Sequence, residues 1–75
     1  MALRDALQSC GISQTDLARE VGARPETVSR WVAGRMVPRA ETVASLLAVF
    51  NRPENLRKLD RRTPVTFADL FSEAA

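Results

Sequence analysis

Histidine is absent from this 75-residue chain, and cysteine occurs once, as Cys10. The usual Cys/His zinc sets are therefore excluded, and a lone thiol cannot close an internal disulfide. Cys10 reads as a small apolar core residue rather than a reactive group. With no His, no plausible Cys partner and no paired buried carboxylates, an enzyme is a poor reading. No run of 18 apolar residues exists, so no membrane span is expected. The first residues also lack a basic-then-apolar signal pattern. Glycine and proline are few, three and four, and fall between patterned segments rather than inside them. The length limits residues 1–75 to a single small domain, marginal in core size but able to fold alone. Neither a cofactor nor a small-molecule ligand is expected.

Charge is present but uneven. Residues 1–23 carry two Arg against Asp5, Asp16 and Glu20, a net of −1. Residues 24–39 carry Arg24, Arg30, Arg35 and Arg39 against Glu26, a net of +3. Residues 40–75 carry five basic and five acidic groups and balance. A concentrated basic surface suits a polyanion, because phosphate contacts release condensed counterions. On charge alone, a solvated basic face without a partner reads equally well. The second basic run, Arg57, Lys58, Arg61 and Arg62, is diluted by Glu54 and Asp60 and reads as solvated surface.

The apolar pattern is helical throughout. Leu3, Ala6, Leu7 and Cys10 form one stripe over residues 2–10, stopped by Gly11. Ser13 is the N-cap of a helix to about Val21, with Asp16 three residues on as a variant capping box. Leu17, Ala18 and Val21 make its buried face, and Ile12 with Leu17 a hydrophobic staple. Gly22 and Ala23 form a tight turn. A second helix runs from about Arg24 to Ala33, with Pro25 at its first position and Gly34 as its stop. Val28, Trp31 and Val32 face inward, and Trp31 is read as a packing residue, not a stacking one. A loop through Pro38 leads to the most apolar helix, about 39–50. There Val43, Leu46, Leu47 and Phe50 form the stripe, and Ala40, Ala44 and Ala48 allow close packing. Pro53 opens a short helix through Leu56 and Leu59. Thr66 and Asp69 form a cap-like pair before Phe67, Leu70 and Phe71. Residues 72–75 are expected to fray. No internal repeat and no convincing strand alternation is visible. The expectation is an all-α, compact bundle of about five short helices, with a helix-turn-helix at 13–34.

Two helices around a glycine turn can be a plain hairpin. Here the short turn, the Arg on the second helix and the basic loop closed by Pro38 agree with a DNA-reading unit, in which the second helix enters the major groove. The spaced set Ile12-Ser13-Gln14-x-x-Leu17-Ala18-x-x-Val21-Gly22, Thr27-Val28-Ser29-Arg30-Trp31, Gly34-x-x-x-Pro38 and Glu41-Thr42-Val43 resembles the lambda-repressor/Cro-like helix-turn-helix family, over roughly residues 3–50. The resemblance implies a bacterial or phage regulator in the bacterial cytoplasm. It also implies a homodimer on a pseudo-palindromic double-stranded DNA operator.

The same resemblance implies roles for single residues. Gln14 is the phosphate-binding glutamine. Arg24, Pro25, Glu26, Ser29 and Arg30 are base-contact candidates. Thr27, Arg35, Met36 and Arg39 are phosphate-contact candidates, with Gln14. A guanidinium at Arg30 can bond guanine O6 and N7 together, worth about 1–3 kcal/mol of discrimination. Its other reading is an i,i+4 ion pair with Glu26, and the two are compatible. Arg24 stands where the family often has a Ser, Thr or Asn cap, which weakens capping there and adds a phosphate or base contact. Pro25 offers only shape or a thymine-methyl contact. Leu7 and Val32 are expected to replace a polar link between the first and third helices. A dimer surface is expected within 52–75, from Leu56, Leu59, Val65, Phe67, Leu70 and Phe71, some of which must also close the core. Such a protein would repress by occupying its operator. The alternative is an antitoxin-type interaction module of a toxin–antitoxin pair, which would need surplus apolar surface in 52–75.

Overall fold

The structure, a computed structural model, describes residues 2–71. Six helices follow in order: α1 (Leu3–Cys10), α2 (Gln14–Val21), α3 (Pro25–Val32), α4 (Ala40–Phe50), α5 (Pro53–Lys58) and α6 (Phe67–Phe71). The described residues contain no strand. The bundle is thus all-helical as expected, with one helix more than five because the last apolar turn is itself helical. The fraying expected for 72–75 falls outside the described residues.

Helix starts follow their caps. The Asp5 carboxylate accepts from the Ala2 N–H at 3.3 Å, so α1 begins at Leu3 and Ala2 is its N-cap. Ser13 Oγ accepts from the Asp16 N–H at 3.0 Å. Asp16 forms no return bond to complete a capping box. It lies 3.6 Å from Arg19, one turn on. Gly22 ends α2 at φ 73°, and the Ala23 N–H then reaches back to the Ala18 carbonyl at 2.9 Å. That left-handed residue is what lets the chain reverse within two residues. The same closure ends α3, where the Arg35 N–H donates to the Arg30 carbonyl at 2.9 Å.

α2 packs chiefly on α3, α4 lies against α2 and α5, and α1 touches α3, α5 and α6. The largest fully buried side chains are Phe50, Leu17, Leu46, Val28 and Val65, one or more from each of α2, α3, α4 and the α5–α6 connection. Burying each such side chain contributes about 1.5–3 kcal/mol. The α4 expectation needs correcting. Its buried residues are Leu46, Val49 and Phe50, while Val43 and Leu47 are half-buried and Ala40, Ala44 and Ala48 are exposed. The alanines face away from α2 and α5, so they do not mediate close packing.

Two asparagines fix the second half of the chain. Asn55 is buried, and its amide donates to the Val49 carbonyl at 2.7 Å. Asn51 treats Val65 as a strand neighbour would: its Nδ2 donates to the Val65 carbonyl at 3.1 Å, and its Oδ1 accepts from the Val65 N–H at 2.6 Å. Buried polar groups are expensive unless satisfied, and here each satisfies a backbone group left over at the end of α4 or beside it. Burial pushes the Cys10 thiol up, with nearby Lys58 opposing, as expected of a packing residue. Among the described residues no helix is long and apolar enough to cross a membrane.

Candidate nucleic-acid interface

α3 presents two faces. Val28 and Trp31 are buried, and Val32 is half-buried. Pro25, Glu26, Ser29 and Arg30 are all exposed on the other side. The expected partition of Trp31 to the packing side holds, at 5 % exposure. Its Nε1 is buried without a hydrogen-bond partner, a feature not anticipated from sequence. The indole is therefore held by packing alone and carries an unpaid desolvation of about 1–3 kcal/mol.

Four of the eleven basic residues are engaged within the chain. Arg52 reaches Glu20 at 2.8 Å, Arg61 reaches Asp69 at 3.0 Å, and Arg19 lies beside Asp16. Lys58 donates to the Cys10 carbonyl at 3.4 Å, tying α5 to α1. Within the second basic run Lys58 and Arg61 are thus bound internally, while Arg57 and Arg62 are exposed and, among the described residues, form no ion pair. Arg24, Arg30, Arg35 and Arg39 are likewise exposed, and among the described residues none forms an ion pair. The i,i+4 pair of Glu26 with Arg30 is not formed. Exposed ion pairs contribute little at best, so water competes successfully for both groups, and the Arg30 guanidinium stays free.

The arginines are held by the ends of elements. Arg24 and Arg39 are the N-cap residues of α3 and α4, and neither side chain makes a cap hydrogen bond. Arg35 follows Gly34 in the loop, and Met36 and Val37 are exposed there at 42 % and 62 %. Pro38 is buried and anchors the loop beneath them. Between the start of α3, the loop and the start of α4 lies an open groove of about 460 Å³, with Arg24, Thr27, Arg39 and Thr42 among its lining residues and Trp31 and Pro38 below. Gln14 opens α2 on a separate depression, shared with Arg4 and Gln8. Leu7 and Val32, the apolar pair expected to link the first and third helices, border that same depression.

The expected dimer residues separate by burial. Val65 and Leu70, at 2 % and 3 % exposure, belong to the core of this chain and have no surface to offer a partner. Leu56, Leu59 and Phe71 are partly buried against that core. Phe67 is exposed at 41 % and stacks on Phe71 with ring centroids 5.1 Å apart.

Two short helices at a glycine turn, the second with an exposed polar face beside four unpaired arginines, have the arrangement of a helix-turn-helix. A family model described as helix-turn-helix matches residues 3–57, and the chain belongs to this lambda-repressor/Cro-like family. It is a DNA-binding helix-turn-helix regulator. No curated protein and no solved structure matches the chain. The match runs from α1 into α5 and leaves α6 and its connection outside.

Proposed function

We propose that residues 1–75 act as a single sequence-specific transcription regulator of the Cro type. It represses by occupying a pseudo-palindromic operator as a homodimer, with no small-molecule ligand. The observation that carries this reading is the set of four exposed, unpaired arginines on and around α3. Pro25, Glu26, Ser29 and Arg30 would face base edges, with Arg30 the principal reader. Gln14, Thr27, Arg35, Met36 through its backbone amide, and Arg39 would hold phosphates. Phosphate contacts position such a protein and base contacts specify its sequence. The partner-module alternative draws less support, since within 52–71 Phe67 is the one large apolar side chain that is exposed.

Selection of bound sites from a random duplex pool, followed by titration, tests the reading. Arg30→Ala should weaken binding to the selected site by about 1–3 kcal/mol and relax the preference at one base pair. Arg35→Ala should weaken all duplexes alike and reduce the salt slope by about one unit. Wild-type protein that binds selected and random duplexes equally would rule out specific readout.

A further inference from the structure

Two short stretches of the chain match at four of five positions: Arg24-Pro25-Glu26-Thr27-Val28 and Arg39-Ala40-Glu41-Thr42-Val43. The sequence read as whole units shows no repeat, and this five-residue echo acquires meaning only in the fold. Each copy starts a helix. Its arginine is the N-cap, its glutamate lies in the first turn, and its valine turns inward, buried in α3 and half-buried in α4. The two starts converge on one groove. Both arginines and both threonines line it, whereas neither Glu26 nor Glu41 does. The folding has sorted the charges of the repeat, with cations and hydroxyls facing in and both carboxylates facing elsewhere.

We propose that this groove is a shared phosphate seat in which Arg24, Arg39, Thr27 and Thr42 hold one backbone phosphate of the bound duplex. The inference rests on the DNA-binding reading above and deepens it. It assigns Arg24 to backbone clamping rather than base reading and adds Thr42, which the resemblance gave no DNA-contact role. The chemistry is that of an anion with several acceptor oxygens. Two guanidiniums supply fork-like donors for charge-assisted bonds, and two hydroxyls can donate to the remaining oxygens. Neither arginine is committed to a carboxylate or to its own helix cap, so no existing bond must break on docking. The groove's volume of about 460 Å³ leaves room for a phosphate and its flanking sugars. Because one copy starts α3 and the other starts α4, a phosphate gripped by both would fix the angle at which the reading helix meets the duplex.

The test is a double-mutant cycle on full-length protein with a mixed-sequence duplex. Arg24→Ala and Arg39→Ala should each weaken binding about tenfold, and the pair should lose about thirtyfold rather than the hundredfold of independent sites. Thr42→Val should weaken binding about threefold at unchanged salt slope, since it removes a neutral donor. Both arginines are exposed and make no internal side-chain bond, so unchanged thermal midpoints are expected for the variants. Strictly additive arginine losses would mean separate phosphates and overturn the shared seat. Wild-type binding by all three variants, with Arg35→Ala still weakened, would overturn the seat while leaving the DNA reading intact. Failure of wild-type protein to bind any duplex would remove both. Titrating inorganic phosphate against the Thr27 and Thr42 amide resonances separates the sources. Saturation there, with no shift on adding duplex, would assign the groove to a free anion and overturn the proposal.

Discussion

At the scale of single residues, one position other than glycine has a left-handed backbone among the described residues. Asp60 sits at φ 57°, the left-handed region that L side chains other than Asn and Asp rarely enter. It does so to close α5: its N–H donates to the Arg57 carbonyl at 3.0 Å, and the Arg61 N–H reaches the Leu56 carbonyl at 3.0 Å. Gly22 makes the same closure after α2 without a side chain. The two sites predict opposite effects. Asp60→Gly should raise stability by on the order of 0.5–1 kcal/mol, as relief of the left-handed penalty exceeds the added entropy of the unfolded chain. Gly22→Ala should lower it by on the order of 1 kcal/mol, although a Cβ there would meet no atom within 4 Å. Urea denaturation of both variants measures this, and equal midpoints would contradict the account. The opposed outcomes separate conformational strain from crowding.

At the scale of elements, α6 is the least self-sufficient. It has five residues and one buried side chain, Leu70, so its own hydrogen bonds cannot hold it. A reciprocal cap does: the Thr66 N–H donates to Asp69 Oδ2 at 2.9 Å, and the Asp69 N–H donates to Thr66 Oγ1 at 3.3 Å. Arg61 reinforces it, reaching Asp69 and also the carbonyls of Thr63 and Pro64. The Thr66 N–H and hydroxyl, with Arg61 nearby, hold the Asp69 carboxyl below its ordinary range. A depressed carboxylate contributes its stability above the unfolded pKa and loses it as pH falls through the folded one. Acid should therefore loosen α6 ahead of the core, seen as collapse of the distinct Phe67 and Phe71 ring resonances. Asp69→Ala should show the same collapse at neutral pH. Ring signals that persist in both cases until the whole chain unfolds would show that the cap is idle. The Thr66–Asp69 pair was legible in the sequence because a capping box is local, as were Ser13 and Gly22. Asn51 and Asn55 were not, since their partners are fixed by the path of the chain rather than by spacing. The exposed alanines of α4 misled for a related reason. Period alone marks an apolar face, but neighbouring elements decide which part of that face is covered.

At the scale of the whole molecule, one copy of α3 reads too few bases for strong specificity, so the proposed regulator requires two. Half-sites about 34 Å apart, one DNA turn, are expected in the selected operator. With Val65 and Leu70 committed to the core, Phe67 is the best remaining apolar anchor for a second copy. Phe67→Ser should weaken self-association and cooperative operator binding, and lower the thermal midpoint with them through loss of the Phe71 stack and of dimer linkage. Sedimentation showing a monomer at high concentration, with and without DNA, would remove the dimer. The DNA-facing chemistry was partly readable beforehand: the arginines were visible, but their freedom from Glu26 was not. Nor was the meeting of two helix starts at one groove, which needs the third dimension. Trp31 lies under that groove and is the chain's single indole. Ultraviolet emission from the native protein thus reports from one known spot beneath the proposed contact surface. Docking of a duplex becomes an optical event that needs no attached dye, and the same signal, moving toward longer wavelength, would follow unfolding.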